Sequence, residues 1–78
     1  MENKGISTRM RNLMQQYIGK KYALNYHGHI LWTSTIISLM GNTGYFITEI
    51  NDGHSTWTSN ASYGEITKGI KKGQYIEQ

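Results

Sequence analysis

The chain has 78 residues, neither cysteine nor proline, and a net charge of +3. This length predicts one small domain, and the missing cysteines exclude disulfides and cysteine-ligated zinc. No apolar run is long enough to span a membrane and no secretory signal pattern is present, so we expect a cytoplasmic protein without membrane contact.

The N-terminal part predicts an amphipathic helix over residues 6–18, after a frayed segment over residues 1–5. Its apolar residues recur at helical spacing: Ile6, Met10, Leu13, Met14, Tyr17 and Ile18. Ser7 or Thr8 is suited to cap this helix, and Gly19 to end it. The apolar stripe packs either on a sheet or on a second copy of the chain, so a homodimer is an open alternative.

Residues 21–59 predict an antiparallel meander of four strands. The first strand, near Tyr22, shows the alternation of a half-buried strand. The second runs from residue 30 to residue 40 with apolar residues on both faces, so either both faces are covered or a bulge near Thr33 switches them. The third and fourth strands flank a tight turn at Asn51-Asp52-Gly53.

Residues 60–76 predict a short helix, a lysine–glycine turn and a tail that adds a last edge strand. Ser62 and Glu65 form a capping-box pattern, and we expect the helix to run to about Lys68, where Gly69 ends it. The whole pattern favours an α+β fold, with the N-terminal helix packed on a four- to five-stranded antiparallel meander, SH3-like or a small curved sheet.

Basic residues lie at both ends of the chain, and none occurs between Tyr22 and Ser59. The lysine–glycine turn would expose backbone N–H groups beside ammonium groups, an arrangement that can hold a phosphate. The alternative is an ordinary solvated surface. The candidates for phosphate or acidic-partner contact are Arg9, Arg11, Lys20, Lys21, Lys68, Lys71 and Lys72.

Two tryptophans and six tyrosines are many for a chain of this size. We expect Trp32 in the core and Trp57 as an exposed platform, because Trp57 is the one large side chain of its strand. The predicted partner-binding residues are Trp57, Thr56, Thr58 and Tyr63.

Catalytic and metal-binding patterns are weak. His27, His29 and His54 all lie in predicted turns, where a divalent site or a general base would need ligands from two turns. With no P-loop, nucleophile elbow or paired carboxylates, we predict no enzyme, no metal and no cofactor.

The runs Thr56-Trp57-Thr58-Ser59 and Ile66-Thr67-Lys68-Gly69-Ile70-Lys71-Lys72-Gly73 resemble the DNA-binding repeats that accompany phage homing endonucleases. The short chain, rich in Asn, Ile, Lys and Tyr, also resembles small phage or mobile-element accessory proteins, including inhibitors of host defence. These resemblances imply a DNA contact in the tail and a role against a host system.

Two functions follow from these observations. The uncharged strands, rich in Ser, Thr and aromatic residues, favour a small binding protein that docks on and inhibits a host protein or nucleoprotein complex. The alternative is a regulator that binds DNA or RNA directly through a basic face and exposed aromatics.

Overall fold

The computed structural model describes residues 5–78, so the segment predicted to be frayed lies almost entirely outside the described residues. The helices and strands, in chain order, are α1 (Thr8–Gln15), β1 (Lys21–Tyr26), β2 (His29–Leu39), β3 (Tyr45–Asn51), β4 (Thr56–Ser62), α2 (Tyr63–Lys71) and β5 (Tyr75–Glu77). The predicted meander is present, and its fourth strand extends three residues further than expected.

The strands form one open sheet in the order β4-β3-β2-β1-β5, and all neighbours are antiparallel. The meander accounts for β1 to β4, and α2 carries the chain across the sheet so that β5 pairs with β1. The predicted α+β fold with a five-stranded antiparallel sheet is therefore confirmed. Because β4 and β5 are both free edges, the sheet is not a closed barrel.

Both helices lie on the same face of the sheet. The alternation along β3 turns Phe46, Thr48 and Ile50 towards the helices and Tyr45 and Glu49 towards the opposite face. The core combines residues of both helices with residues of four strands: Met14, Tyr22, Ile36, Phe46, Ala61 and Ile66. The opposite face of the sheet is covered by no element of the described chain.

The N-terminal helix is shorter than its apolar stripe predicted. Ser7 caps it by accepting a hydrogen bond from the Met10 N–H at 3.1 Å, but the helix ends at Gln15. The chain then turns through residues 16–19, and Gly19 adopts a φ of +90°. Tyr17 packs against the core from this turn. The apolar residues that predicted a longer helix therefore include some that lie after its end.

Two irregularities in the pairing of β2 resolve its ambiguous register. They lie opposite Leu24-Asn25 and between Ile36 and Ser38, so a bulge does occur in β2 as one alternative expected, but not at Thr33. The second leaves Ile37 exposed while its neighbour Ile36 is fully buried. A bulge thus switches the faces of β2 close to its end, and only one face is covered.

The C-terminal helix does not end at Gly69. It runs through to Lys71, and Gly73, with a φ of +79°, allows the chain to turn back. The N–H groups of residues 72–74 donate to carbonyls of Lys68, Gly69 and Ile70. The predicted anion-binding turn is therefore wrong in its backbone, because these amides already have partners.

Gly69 is needed where it lies because α2 packs directly on Tyr75. A β-carbon at this position would lie 2.8 Å from Cδ2 of the Tyr75 ring. We expect Gly69→Ala to lower the free energy of unfolding by about 1 to 2 kcal/mol, because overpacking outweighs the better helix propensity of alanine. Urea denaturation measures this change.

Gly64 provides the matched control in the same helix. A β-carbon there has no neighbouring atom within 4 Å, so Gly64→Ala should leave the protein as stable as before or stabilise it by up to about 1 kcal/mol. Equal stability of the two variants would show that α2 does not pack closely against Tyr75 at Gly69.

Candidate binding surface at the β4 edge

The outer edge of β4 presents unpaired backbone groups. Asp52 N–H donates to the Ser55 carbonyl and Tyr63 N–H to the Gly44 carbonyl, which fixes the alternation of the β3–β4 ladder. Residues 57, 59 and 61 are bonded to β3, whereas the N–H and C=O groups of residues 56, 58 and 60 point away from the sheet. Every residue from 56 to 60 is exposed.

The two sheet edges differ in their protection. β5 has only three residues, and its Glu77 carboxylate forms an ion pair with Lys20 at 3.0 Å. β4 has seven residues and contains no Lys, Arg or Pro. Short length and edge charges are common means of blocking strand addition, so β4 is the edge that is open to another strand.

A well-ordered turn sets the start of β4. The Asn51 Oδ1 atom accepts a hydrogen bond from the Gly53 N–H at 2.8 Å. The Asp52 Oδ1 atom accepts from the N–H groups of His54 and Ser55 at 2.8 and 2.9 Å. These two bonds stabilise the carboxylate and hold the pKa of Asp52 below its usual value.

Trp57 projects from β4 to the helix side of the sheet and packs against Trp32 of β2. The two ring centroids are 6.5 Å apart and the ring planes meet at 69°, an edge-to-face arrangement. Trp57 remains 42% exposed, and Trp32 is half-buried and does not belong to the core cluster. The expectation that Trp32 fills the core is wrong; Tyr17 and Phe46 pack there without it.

The tryptophan pair borders a cavity of about 230 Å³, here named the tryptophan groove. Trp32 and Trp57 line it together with Glu65 of α2 and Tyr75 of β5. Hydroxyl-bearing residues also line it: Ser34, Thr48 and Ser59. Among the lining residues that the structure describes, Glu65 is the single charged one.

The predicted partner-binding residues do not form one cluster. Trp57 faces the tryptophan groove, whereas the side chains of Thr56 and Thr58 alternate to the opposite face of the sheet. Tyr63 packs in the core, edge to face with Tyr17 at 5.8 Å. What unites the first three residues is the backbone edge that they share.

Sequence reasoning missed Trp32, Glu65 and Tyr75 as candidate site residues. They come from β2, α2 and β5, so no local spacing connects them. The one usable signal was Glu65 in the first turn of a helix capped by Ser62, which the structure confirms through the Glu65 N–H bond to Ser62 Oγ. That signal predicted the start of α2 and gave no indication of the groove.

The seven predicted basic contacts are distributed over several surfaces. Arg9 is exposed on α1. Arg11 donates to the Asn42 side chain and the Gly41 carbonyl, and Lys20 is paired with Glu77. Lys21 alternates with the buried Tyr22 and so lies on the opposite face of the sheet from the helices. The exposed lysines of the C-terminal helix and its cap form a separate group on the helix layer: Lys68, Lys71 and Lys72.

The histidines are also separated. His27 lies in the β1–β2 turn, His29 begins β2, and His54 lies in the β3–β4 turn. Within residues 5–78, no group of three or more His, Cys, Asp or Glu side chains is placed to hold a metal ion. No helix in this part of the chain is both long and apolar enough to cross a membrane.

Comparison of the chain with protein-family models, with curated proteins and with solved structures finds no match. The function must therefore be inferred from the arrangement of the residues themselves.

Asp52 makes the stability of the β3–β4 turn depend on pH. Because its pKa in the folded state lies below the unfolded value of about 3.9, its stabilising effect is complete above that value. The effect is lost as the pH falls through the folded pKa. We expect the free energy of unfolding to fall more steeply with acidification in the wild type than in Asp52→Asn, as measured by urea denaturation at several pH values.

Asn at this position keeps an oxygen that can accept both turn bonds but has no charge to titrate. The remaining carboxylates titrate in both proteins, so the difference between the two curves isolates Asp52. Parallel curves would mean that the carboxylate does not hold the turn.

Proposed function

We propose that this chain is a small non-enzymatic binding protein that docks on another protein by adding an extended segment of its partner to the β4 edge. Docking would block or alter the partner, as expected of a modulator or inhibitor. The resemblance to phage and mobile-element accessory proteins makes a host protein, alone or in a nucleoprotein complex, the partner that we propose.

The observation that carries the proposal is the row of outward backbone groups at residues 56, 58 and 60. An added strand satisfies these donors and acceptors with its own backbone, which supplies affinity without a specific side-chain sequence. Neither charge nor proline protects this edge.

The side chains around the edge support the same function. Thr56, Thr58 and Asn60 line the opposite face of the sheet with uncharged hydrogen-bonding groups, whereas Trp57 offers a large aromatic surface on the helix side. Polar residues of this kind around an exposed tryptophan are typical of protein-binding surfaces. Specificity would come from the side chains and affinity from the backbone.

Thr58→Pro tests strand addition directly. Proline removes an N–H that points away from β3, so no bond of the sheet is lost and the fold should persist. The matched control Thr58→Val keeps both the N–H and the branched side chain. Against peptides selected from a random displayed library, we expect Thr58→Pro to weaken binding at least about tenfold and Thr58→Val to change it little.

Amide hydrogen exchange shows where on the protein the peptide binds. Peptide binding should protect the amides of Thr56, Thr58 and Asn60, which are open in the free protein. If Thr58→Pro binds the selected peptides as well as wild type, the edge is not the docking surface. If Thr58→Pro instead converts a dimer into a monomer in sedimentation experiments, the partner strand belongs to a second copy of the chain.

One observation favours the second candidate, direct nucleic-acid binding. Lys68, Lys71 and Lys72 recur at i, i+3 and i+4 at the end of α2 and are all exposed, so they form one basic stripe on the helix surface. Such a stripe can contact successive phosphates. It lies on α2 and involves neither the β4 edge nor the tryptophan groove.

Changing the three lysines together to alanine separates the two candidates. If the stripe binds phosphates, affinity for labelled random DNA or RNA should fall and the slope of log affinity against log salt should decrease by about 2 to 3. Binding of the selected peptides should be unchanged. An unaltered salt slope would remove these lysines from any nucleic-acid contact.

A further inference from the structure

We propose that the tryptophan groove is a pocket for an arginine side chain, supplied by the partner segment that adds to β4. The source of the arginine rests on the proposed function. The chemistry of the pocket does not, because it follows from the residues that line the groove and can be tested with a small molecule.

The aromatic walls suit a flat cation. The ring planes of Trp32 and Trp57 are inclined by 69° to each other. A flat group that stacks on the face of one ring can therefore also contact the other ring. A guanidinium group stacks on an indole face and is attracted by the negative charge of its π system. Tyr75 adds a third ring to the lining.

The charge of the groove also favours a cation. Glu65 contributes the one charge among the described lining residues, and the lysines of α2 do not line the cavity. Within residues 5–78, the single ion pair joins Lys20 to Glu77 and leaves Glu65 without a cationic partner. A carboxylate beside two indoles is complementary to a cation and would repel an acidic side chain.

Glu65 and Tyr75 are close enough to interact electrically. Burial raises the pKa of Tyr75, and the negative charge of Glu65 raises it further. At neutral pH the phenol of Tyr75 is therefore protonated and uncharged. The pocket thus presents one negative charge next to a neutral ring.

Hydroxyl groups distinguish a guanidinium from a quaternary ammonium cation. Ser34, Thr48 and Ser59 line the cavity, and Thr48 is only 1% exposed. Their oxygens can accept hydrogen bonds from the five N–H donors of a guanidinium, whereas a quaternary ammonium group has no donor to offer. An arginine would use the carboxylate, the hydroxyls and the rings together.

The groove lies where an added strand delivers side chains. Trp57 belongs to β4 and projects to the helix side, so every second residue of a neighbouring strand projects to that side as well. An arginine at such a position, long enough to reach over the strand, would place its guanidinium against Trp57.

The test is a titration of the full chain with N-acetyl-arginine amide, monitored through the indole N–H signals of the two tryptophans by NMR. The matched ligand is N-acetyl-citrulline amide, which has nearly the same shape but no charge. We expect arginine to shift both indole signals with a dissociation constant in the millimolar range and citrulline to bind at least about tenfold more weakly. Tetramethylammonium should also bind more weakly than arginine.

Glu65→Gln is the matched protein variant. Glutamine keeps the side-chain length and suits the third position of a capped helix, so α2 should remain intact. We expect it to lose arginine binding by about tenfold. Equal binding of arginine and citrulline, no indole shift with arginine, or unchanged binding by Glu65→Gln would each overturn the pocket.

Thr58→Pro keeps the two proposals separate. It should weaken peptide binding at least about tenfold while leaving the binding of N-acetyl-arginine amide unchanged, because Thr58 does not line the cavity. If Thr58→Pro weakens peptide binding but the wild type does not bind N-acetyl-arginine amide, the pocket is refuted and strand addition is supported. If the wild type binds N-acetyl-arginine amide but Thr58→Pro still binds the peptides normally, the pocket is supported and strand addition is refuted.

Discussion

The pairing of β5 with β1 is the constraint on which the rest of this structure depends. Because β5 lies at the far edge from β4, the chain must cross the sheet between them, and α2 makes that crossing. α1 and α2 pack on Phe46 and on Ala61 near the end of β4, whereas Trp57 near the start of β4 stays 42% exposed.

This incomplete cover explains why the aromatic residues divide into two groups. Phe46 of β3 packs against Tyr17, which follows α1, and against Tyr63, which begins α2, and Phe46 is fully buried there. Trp32 and Trp57 pack on each other beyond that cover. A core of this size has no room for every large ring, so two of the largest side chains line a groove. Glu65 then gives that groove its charge.

The same arrangement leaves the groove beside the unprotected edge of the sheet. The backbone groups of residues 56, 58 and 60 are satisfied either by water or by an added strand, and Trp57 lies between two of these positions along the strand. β5, by contrast, is short and carries the Lys20–Glu77 ion pair. One edge thus combines free backbone donors with a polar, aromatic cavity, and we infer that both parts serve the same partner.

The sequence by itself determined the local structure. The caps at Ser7 and Ser62, the order of the elements and the α+β class could all be predicted, because each depends on residues close together in the chain. The end of α2 and the bulges in β2 could not, since they depend on the ring of Tyr75 under Gly69 and on the pairing of distant strands. Only the tertiary structure brought Trp32, Trp57, Glu65 and Tyr75 to one groove, because these residues come from four elements whose juxtaposition is set by strand order and not by spacing.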